Sequence, residues 1–491
     1  MQKQAQQAKP NMLLLANVMI GAFFAILCNT LMSNAIPTIM KTFDVGASSA
    51  TWLTTGYMLV SGIVIPTSAF FLNKYSIRNL FLWSMGLFTI GTMIGGFAQN
   101  FTVLVIARIV QAFGGSLLSP LLMNLLYSSF PPEKRGKSMG FVGLILMFAP
   151  AIGPTISGLV LEVASWEWLF HMIWPITLII TVASYKIMKK DKETQPGSLD
   201  VLSVILSAIG FGGLIYGFST AGKEGWDSTI VIVSLIMGVI GIAAFVIRQN
   251  FLEKPILNFK IFLNPKYTLS IFVLITTIFA MYSVMIPVPL FLQNIQGMTA
   301  LKSGLIMLPG AMIMGLLAPI NGKLFDRFGI RPLILVGFPL MIMASIILGN
   351  LELETASWVI CLTYAIRLIG VGMVQMPLQT NALNALKPEE VSHGTAMNST
   401  LGQTVGAITS SLIITLISNR TQFHGTEMLK EHKSEMIGMS ADAIQKLKET
   451  ISIDAFIAGN NETFLYSIVV AVIGLALGLC LKSKKKMEVS K

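Results

Sequence analysis

The stretch "LCNTLMSNAIP" (27–37) sets Asn29, Thr30, Ser33 and Asn34 inside an otherwise apolar run. Spacings of four residues put Asn29 over Ser33 and Thr30 over Asn34, so a helix here carries one polar but uncharged stripe. The other group of chemical interest is Arg108, in "ARIVQAFGGSLLSP" (107–120), with Gln111 one turn further on. An arginine at membrane depth costs at least about 2.5 to 3.5 kcal/mol, so it must face inward onto a partner. Such a set could bind a polar group in the membrane interior. A structural arginine, bonded to backbone carbonyls, to Gln111 or to the stripe, is the alternative. Arg367, in "IRLIGVGMVQMP" (366–377), raises the same question in the second half of the chain.

The elements that must position these groups are set by composition. Of 491 residues, 54% are hydrophobic and only 12% charged, whereas soluble domains carry about a quarter charged residues. Mean hydropathy is +0.73. Fourteen apolar runs are predicted, at 12–36, 49–72, 79–98, 102–126, 138–161, 168–188, 199–220, 229–248, 268–292, 303–322, 331–350, 357–381, 393–418 and 463–481. Each is long enough to cross a hydrocarbon core of about 30 Å as a helix. The expectation is therefore an all-α polytopic membrane protein with 14 transmembrane helices. The first run follows Lys3 and Lys9 and no small-residue cleavage site comes after it, so it reads as a retained span.

Most of the 34 Lys and Arg residues fall in connections on one side, including "PEKRGK" (132–137), "KIMKKDK" (186–192) and the tail "KSKKK" (482–486). The positive-inside rule then predicts a multi-pass protein of the cytoplasmic membrane with both termini in the cytoplasm. The net charge of +11 reflects this topology and contact with membrane lipids, with no need for nucleic acid. Cys28, Cys361 and Cys480 are scattered without metal-ligand spacing, so no disulfide, metal site or cofactor is expected. No G-x-x-x-x-G-K-[ST] loop is present, which excludes ATP bound in that way as the motor.

The chain repeats itself at an offset of about 250 to 260 residues. "AFFLNKYSIRN" (69–79) corresponds to "GKLFDRFGIRP" (322–332), and the segment around Arg108 to that around Arg367. Two six-helix bundles are expected, in 1–190 and 267–491, with two additional spans and their linkers in 191–266. The C-terminal unit includes an outer loop, 419–462, read as a solvated cap with a helix around 441–450, and a basic cytoplasmic tail. Duplicated bundles with a cavity between them suit alternating access.

With these motifs assembled, the chain resembles the 14-span drug:proton antiporter branch (EmrB/QacA type) of the major facilitator superfamily from end to end. "GKLFDRFGIRP" is close to the superfamily's G-x-L-x-D-R-x-G-R-[RK] gating loop. Gly322 and Gly329 permit close backbone approach, and Asp326 has Arg327, Arg331 or the next helix N-terminus as possible partners. The first-half copy keeps Lys74 and Arg78, but Asn73 replaces the acid and Ser76 the second glycine. "GLILMFAPAIGPTISGLV" (143–160) resembles the fifth-span antiporter motif through Pro150, Gly153, Pro154 and Gly158, with Ala149 and Ser157 in place of glycines. "LQNIQGMTALKSGLIMLP" (292–309) and "SWEWLF" (165–170) resemble segments particular to the 14-span branch.

The resemblance implies the major facilitator fold and an efflux transporter that exports hydrophobic drugs or related amphiphiles in exchange for protons. One departure stands out. The family's first span carries an Asp where this chain has Cys28, and none of the 23 acids falls in the interior of a predicted run, Asp200 lying at the very start of 199–220. A proton carrier at midspan is usually a buried carboxylate, so the remaining candidates are Arg108, His171, Glu162 and Glu167. A cavity with arginines and no acid is poorly built for cations. Neutral, zwitterionic or anionic amphiphiles are expected, lined by Asn29, Thr30, Ser33, Asn34, Tyr57, Arg108, Gln111, Asn124, Tyr282, Gln375 and Gln379. The alternative for each amide is helix-to-helix bonding. A lipid or metabolite translocator of the same fold, without conventional proton coupling, is the second reading. A membrane-embedded enzyme, more remote, would require His or carboxylate clusters that His393, His424 and His432 do not form in sequence.

Overall fold

The computed structural model describes residues 12–50, 52–131, 134–188, 199–433 and 439–481. In the absence of water the backbone must satisfy its own polar groups, and the apolar runs do so as helices. The N-terminal half holds α1 (Met12–Phe43), α2 (Ala47–Ala50), α3 (Trp52–Lys74), α4 (Ile77–Gly96), α5 (Phe101–Ser129), α6 (Arg135–Val163), α7 (Trp168–His171) and α8 (Trp174–Ile187). Then come α9 (Val201–Glu224) and α10 (Thr229–Phe251). The C-terminal half holds α11 (Pro265–Met285), α12 (Pro287–Asn294), α13 (Ala300–Phe328), α14 (Ile330–Leu348), α15 (Ser357–Leu383), α16 (Val391–Glu431) and α17 (Ala441–Leu479).

Fourteen of these helical segments are long and apolar enough to cross a membrane. Side-chain caps start several of them. Asn100 accepts from the Val103 amide at 2.9 Å, and Ser76 from the Asn79 amide at 3.2 Å. Gly329, with φ +77°, ends α13 and opens α14, so the second glycine of the gating loop occupies backbone space that other residues avoid.

Within the N-terminal half α4 packs on α5, α3 on α5, and α1 on α6; within the C-terminal half α15 is gripped by α11, α13 and α14, and α16 pairs with α17. The halves meet along two seams, α6 against α13 and α3 against α16. The second seam is overlaid by α9, which touches both α3 and α16, while α10 packs outside on α9. Three bonds hold α9 and the turn after it there: Thr55 to Ser219 at 3.3 Å, the Ser411 hydroxyl to the Phe218 carbonyl, and Trp226 Nε1, just past the helix, to Thr415 at 3.2 Å. At the start of α9, Arg248 and then Ser203 bond Asp200 and hold its carboxyl down at about 2, so this pair is lost only as pH falls through the strongly acid range.

The segment 419–462 differs from the loop expected from its charges. α16 and α17 continue through it as a helical hairpin, with residues 434–438 outside the described set. Mixed charge along a helix face is solvated as readily as in a loop, and the two helices satisfy each other's partly buried polar groups, as the Arg420–Glu462 pair shows.

The α9–α10 contact is made backbone to backbone. A Cβ placed on Gly213 would come within 2.9 Å of the Gly238 backbone, and one on Gly238 within 2.7 Å of the Leu214 amide. Gly213→Leu is therefore expected to force the two helices apart at a cost of about 1–3 kcal/mol, read as a lower melting temperature of the purified protein in detergent.

Candidate substrate path and gate

Arg108 lies wholly buried on α5, facing α1 and α3. Its Nε donates to the Leu53 carbonyl at 3.0 Å, Nη2 to Asn29 Oδ1 at 3.2 Å, and Nη1 to Gln111 Oε1. The guanidinium sits over the Tyr57 ring, 4.6 Å from its centroid. Gln111 passes the network on, donating to Cys28 Sγ at 3.0 Å and to the Thr92 hydroxyl at 2.8 Å. The partners of the cation are thus a carbonyl, two amides and a ring.

Arg367, on α15, is held in a comparable way by different groups. It donates to the Ala280 carbonyl at 3.0 Å, to Ser283 Oγ at 2.6 Å, and to the hydroxyls of Ser345 and Ser467. Ser283 and Ser467 also bond each other at 2.8 Å. Both arginines therefore tie together three or more helices of their own half.

The candidate gate lies at the end of the molecule that carries the turns at 75–76 and 329, here the basic end. Asp326, in the last turn of α13, accepts from the Gly136 amide at 2.8 Å and the Lys137 amide at 2.9 Å. These are free N–H groups of the first turn of α6, whose own N-cap residue Lys134 makes no side-chain cap bond. A carboxylate of one half thus caps a helix of the other, with the helix dipole in its favour. The helix N-terminus it takes belongs to α6, across the seam, and not to the next helix in sequence. A Cβ on Gly322 would lie 2.0 Å from the Gly136 carbonyl oxygen, which is why the loop's leading glycine is required. Tyr127 adds bonds to the Leu383 carbonyl at 2.7 Å and Asn384 at 3.1 Å, and Arg135 reaches Asn384 at 3.2 Å while lying over the Tyr127 ring.

Above this closure a chamber of about 110 Å³ opens between the halves. Its C-half wall is Met281, Met285, Met314 and Met376 with Tyr364, Gln375 and Gln379, and Pro150 of α6 faces them. The other small residues of the α6 motif make contacts. A Cβ on Gly153 would meet Thr30 Oγ1 at 2.1 Å, Ser157 donates to the Leu31 carbonyl at 2.9 Å, and Gly158 lies against Leu301.

A sequence profile described as the Major Facilitator Superfamily matches residues 18–410. The chain belongs to the major facilitator superfamily. The MFS-type transporter YhcA of Bacillus subtilis is 39% identical over 508 aligned positions, covering 99% of this chain and 96% of the relative. The lincomycin resistance protein LmrB of Listeria innocua is 36% identical over 472, covering 96% and 97%. Among solved structures, the human organic anion transporter MFSD10 (TETRAN) superposes with a TM-score of 0.66 at 10% identity, covering 96% of this chain and 100% of its own, a likeness of fold. The 14 candidate spans fit the 14-span drug efflux branch of the superfamily. This makes the chain a transporter and not an enzyme.

In this superfamily member the residues grouped from sequence as cavity lining separate into two sets. Asn29, Arg108 and Gln111 form the bonded knot inside the N-terminal half, with the Tyr57 ring against the guanidinium. Gln375 and Gln379 line the chamber. Thr30 bonds its own helix at the Leu27 carbonyl, 2.8 Å, and packs on Gly153. Tyr282 packs on Gly406 of α16, and Asn124 is half-buried on α5. The side chains of Ser33, Asn34 and Pro154 lie outside the described residues. In the first-half gating copy, Asn73 is exposed, Lys74 lies over the Phe70 and Tyr75 rings, and Arg78 donates to the Tyr185 carbonyl at 2.9 Å, at the end of α8. Arg327 lies over the Phe328 ring, and Arg331 is exposed.

The proton candidates are also dispersed. His171 accepts from Trp174 Nε1 at 3.2 Å and is edged by Phe97 and Trp168, a packing role. Glu162 is exposed on the last turn of α6. Glu167 keeps one buried carboxylate oxygen without a hydrogen-bond partner. A cluster absent from the sequence reading joins Glu462 of α17 to Arg420 and, at 2.8 Å, to His424 of α16. Mixed charge in sequence predicts only a wet surface, and it is the continuous hairpin that brings residues about 40 positions apart together.

Arg108→Ala would leave the Leu53 carbonyl, Asn29 and Gln111 without their donor, at about 1–3 kcal/mol for each buried group left unmade. Its melting temperature is expected to fall by several degrees, and that of Arg108→Lys, which keeps the charge but not the planar fork, to lie between.

Proposed function

We propose that this transporter resides in the cytoplasmic membrane, with both termini in the cytoplasm, and exports drug-like amphiphiles by alternating access. The observation that carries the reading is the cap of Asp326 on α6, which fastens the two halves at the basic end beneath a chamber shared by both. Closed there, the chamber is poised to release toward the opposite end; parting of α6 and α13 would admit substrate from the cytoplasm. The name of the lincomycin resistance relative, aligned over nearly the whole of both chains, supports a drug as cargo.

Exchange for protons is the coupling that the branch implies. A second reading, a lipid or metabolite translocator without conventional proton coupling, is favoured by one observation: the Arg108 knot is built from amides, a thiol and hydroxyls. Proton flux into reconstituted vesicles, followed with an internal pH dye on addition of lincomycin, separates the two. Flux in the wild type supports antiport without a midspan acid; flux only after Cys28→Asp, which puts a carboxylate beside Gln111 and Arg108, supports the translocator.

Asp326→Asn keeps the shape of the cap and removes its charge. Drug export is expected to fall roughly tenfold, the equivalent of one lost charge-assisted hydrogen bond. A cysteine introduced as Ala318→Cys, buried at the same seam against Gly140, should at the same time label faster with maleimide in a background lacking Cys480. Unchanged export with unchanged labelling would remove Asp326 from the gate.

A further inference from the structure

The chamber between the halves has a chemistry of its own. Among the described residues its lining includes no Asp, Glu, Lys, Arg or His. Met281, Met285, Met314 and Met376 give it flexible, polarizable walls that adapt to different shapes. Against these walls stands one polar anomaly. Gln375 Oε1 is buried and has no hydrogen-bond partner. A buried polar atom left unpaired works against stability, and natural structures keep few of them. An amide that served as helix-to-helix bonding would be paired, as Gln111 is, with Cys28 and Thr92.

The surrounding charge points the same way. Arg108 and Arg367 lie buried in the two halves, and Arg367 shares α15 with Gln375, about two turns away. Neither guanidinium is bonded to a carboxylate among the described residues. A cation entering the chamber would give up its hydration and find no counter-charge among the described lining residues. An uncharged molecule meets none of these costs. An amide side chain turns either its carbonyl or its NH2 to a ligand, so the group it accommodates is a neutral amide or hydroxyl.

We infer that the chamber binds uncharged amphiphiles carrying an amide or hydroxyl group, and that Gln375 is the residue that selects them. This rests on the export reading in placing the chamber on the transport path. Binding itself does not depend on it.

The test uses the full chain in lipid nanodiscs and two radiolabelled probes: chloramphenicol, which is neutral with amide and hydroxyl groups, and tetraphenylphosphonium, a lipophilic cation with no hydrogen-bonding group. Wild type is expected to bind chloramphenicol at least tenfold more tightly than tetraphenylphosphonium. Gln375→Leu should weaken chloramphenicol roughly tenfold without lowering the melting temperature, because the amide it removes is unpaired. Gln375→Glu should gain binding of tetraphenylphosphonium by supplying the missing counter-charge. Equal or tighter binding of the cation by wild type, or no binding of chloramphenicol, overturns the inference. So does a Gln375→Leu protein that melts lower while binding chloramphenicol unchanged, which is the behaviour of a bonding amide. Selective, Gln375-dependent binding without carriage of chloramphenicol across vesicles would uphold the site and refute the export reading.

Discussion

Two guanidinium groups at bilayer depth must be satisfied, and both bundles are organised around that requirement. Arg108 takes a backbone carbonyl of α3, Asn29 of α1 and Gln111 of its own helix. Arg367 takes carbonyls of α11 and α14 and hydroxyls of α11, α14 and α17. A donor fork in a low-dielectric interior is costly to leave partly unmade. The helices that supply its acceptors are thereby tied to one another within each half. The same device explains the uncharged stripe on α1: with a cation already at its centre, the knot needs acceptors and spare amide donors, and Asn29 meets part of that need.

One helix, α6, connects the remaining features. Its first turn receives Asp326 from the other half. Its middle presents Pro150 to the chamber, and its small residues let α1 approach on one side, Gly153 to Thr30 and Ser157 to Leu31, and α13 on the other, Gly158 to Leu301. Helix α6 thus touches the Asp326 cap, the chamber and helices of both halves. A bulky residue at any of these positions meets backbone or a packed side chain within ordinary contact distance.

Much of this was legible in the sequence, and what was not has a physical reason. Fourteen apolar runs declare themselves by length and hydropathy, because lipid leaves no other way to bury them. Gly322 and Asp326 are readable because their fixed frame has few alternative uses, although the half that Asp326 engages is decided by tertiary contact. The division between knot and chamber was not readable. Gln111 and Gln375 are the same residue type in matching helices, and only geometry shows that one is bonded and the other unpaired. The Glu462 cluster was hidden for a related reason. Charge pattern reports solvation, and partners about 40 residues apart become neighbours only when both spans continue into the hairpin.

The two ends of the molecule are fastened differently, and the difference bears on how it opens. At the basic end the halves bond each other directly, through Asp326, Tyr127 and Arg135. Toward the other end of the α3–α16 seam, bonds from both helices converge on the C-terminal part of α9 and the turn after it, through Ser219, Phe218 and Trp226. A rocking motion that separates α3 from α16 there must break one set of these bonds or carry α9 with one half. The glycine-lined contact of α9 with α10 makes the pair a stiff unit, so the inserted helices move together. Whichever half they followed, α9 would keep covering one side of the α3–α16 seam, since it packs on both of those helices.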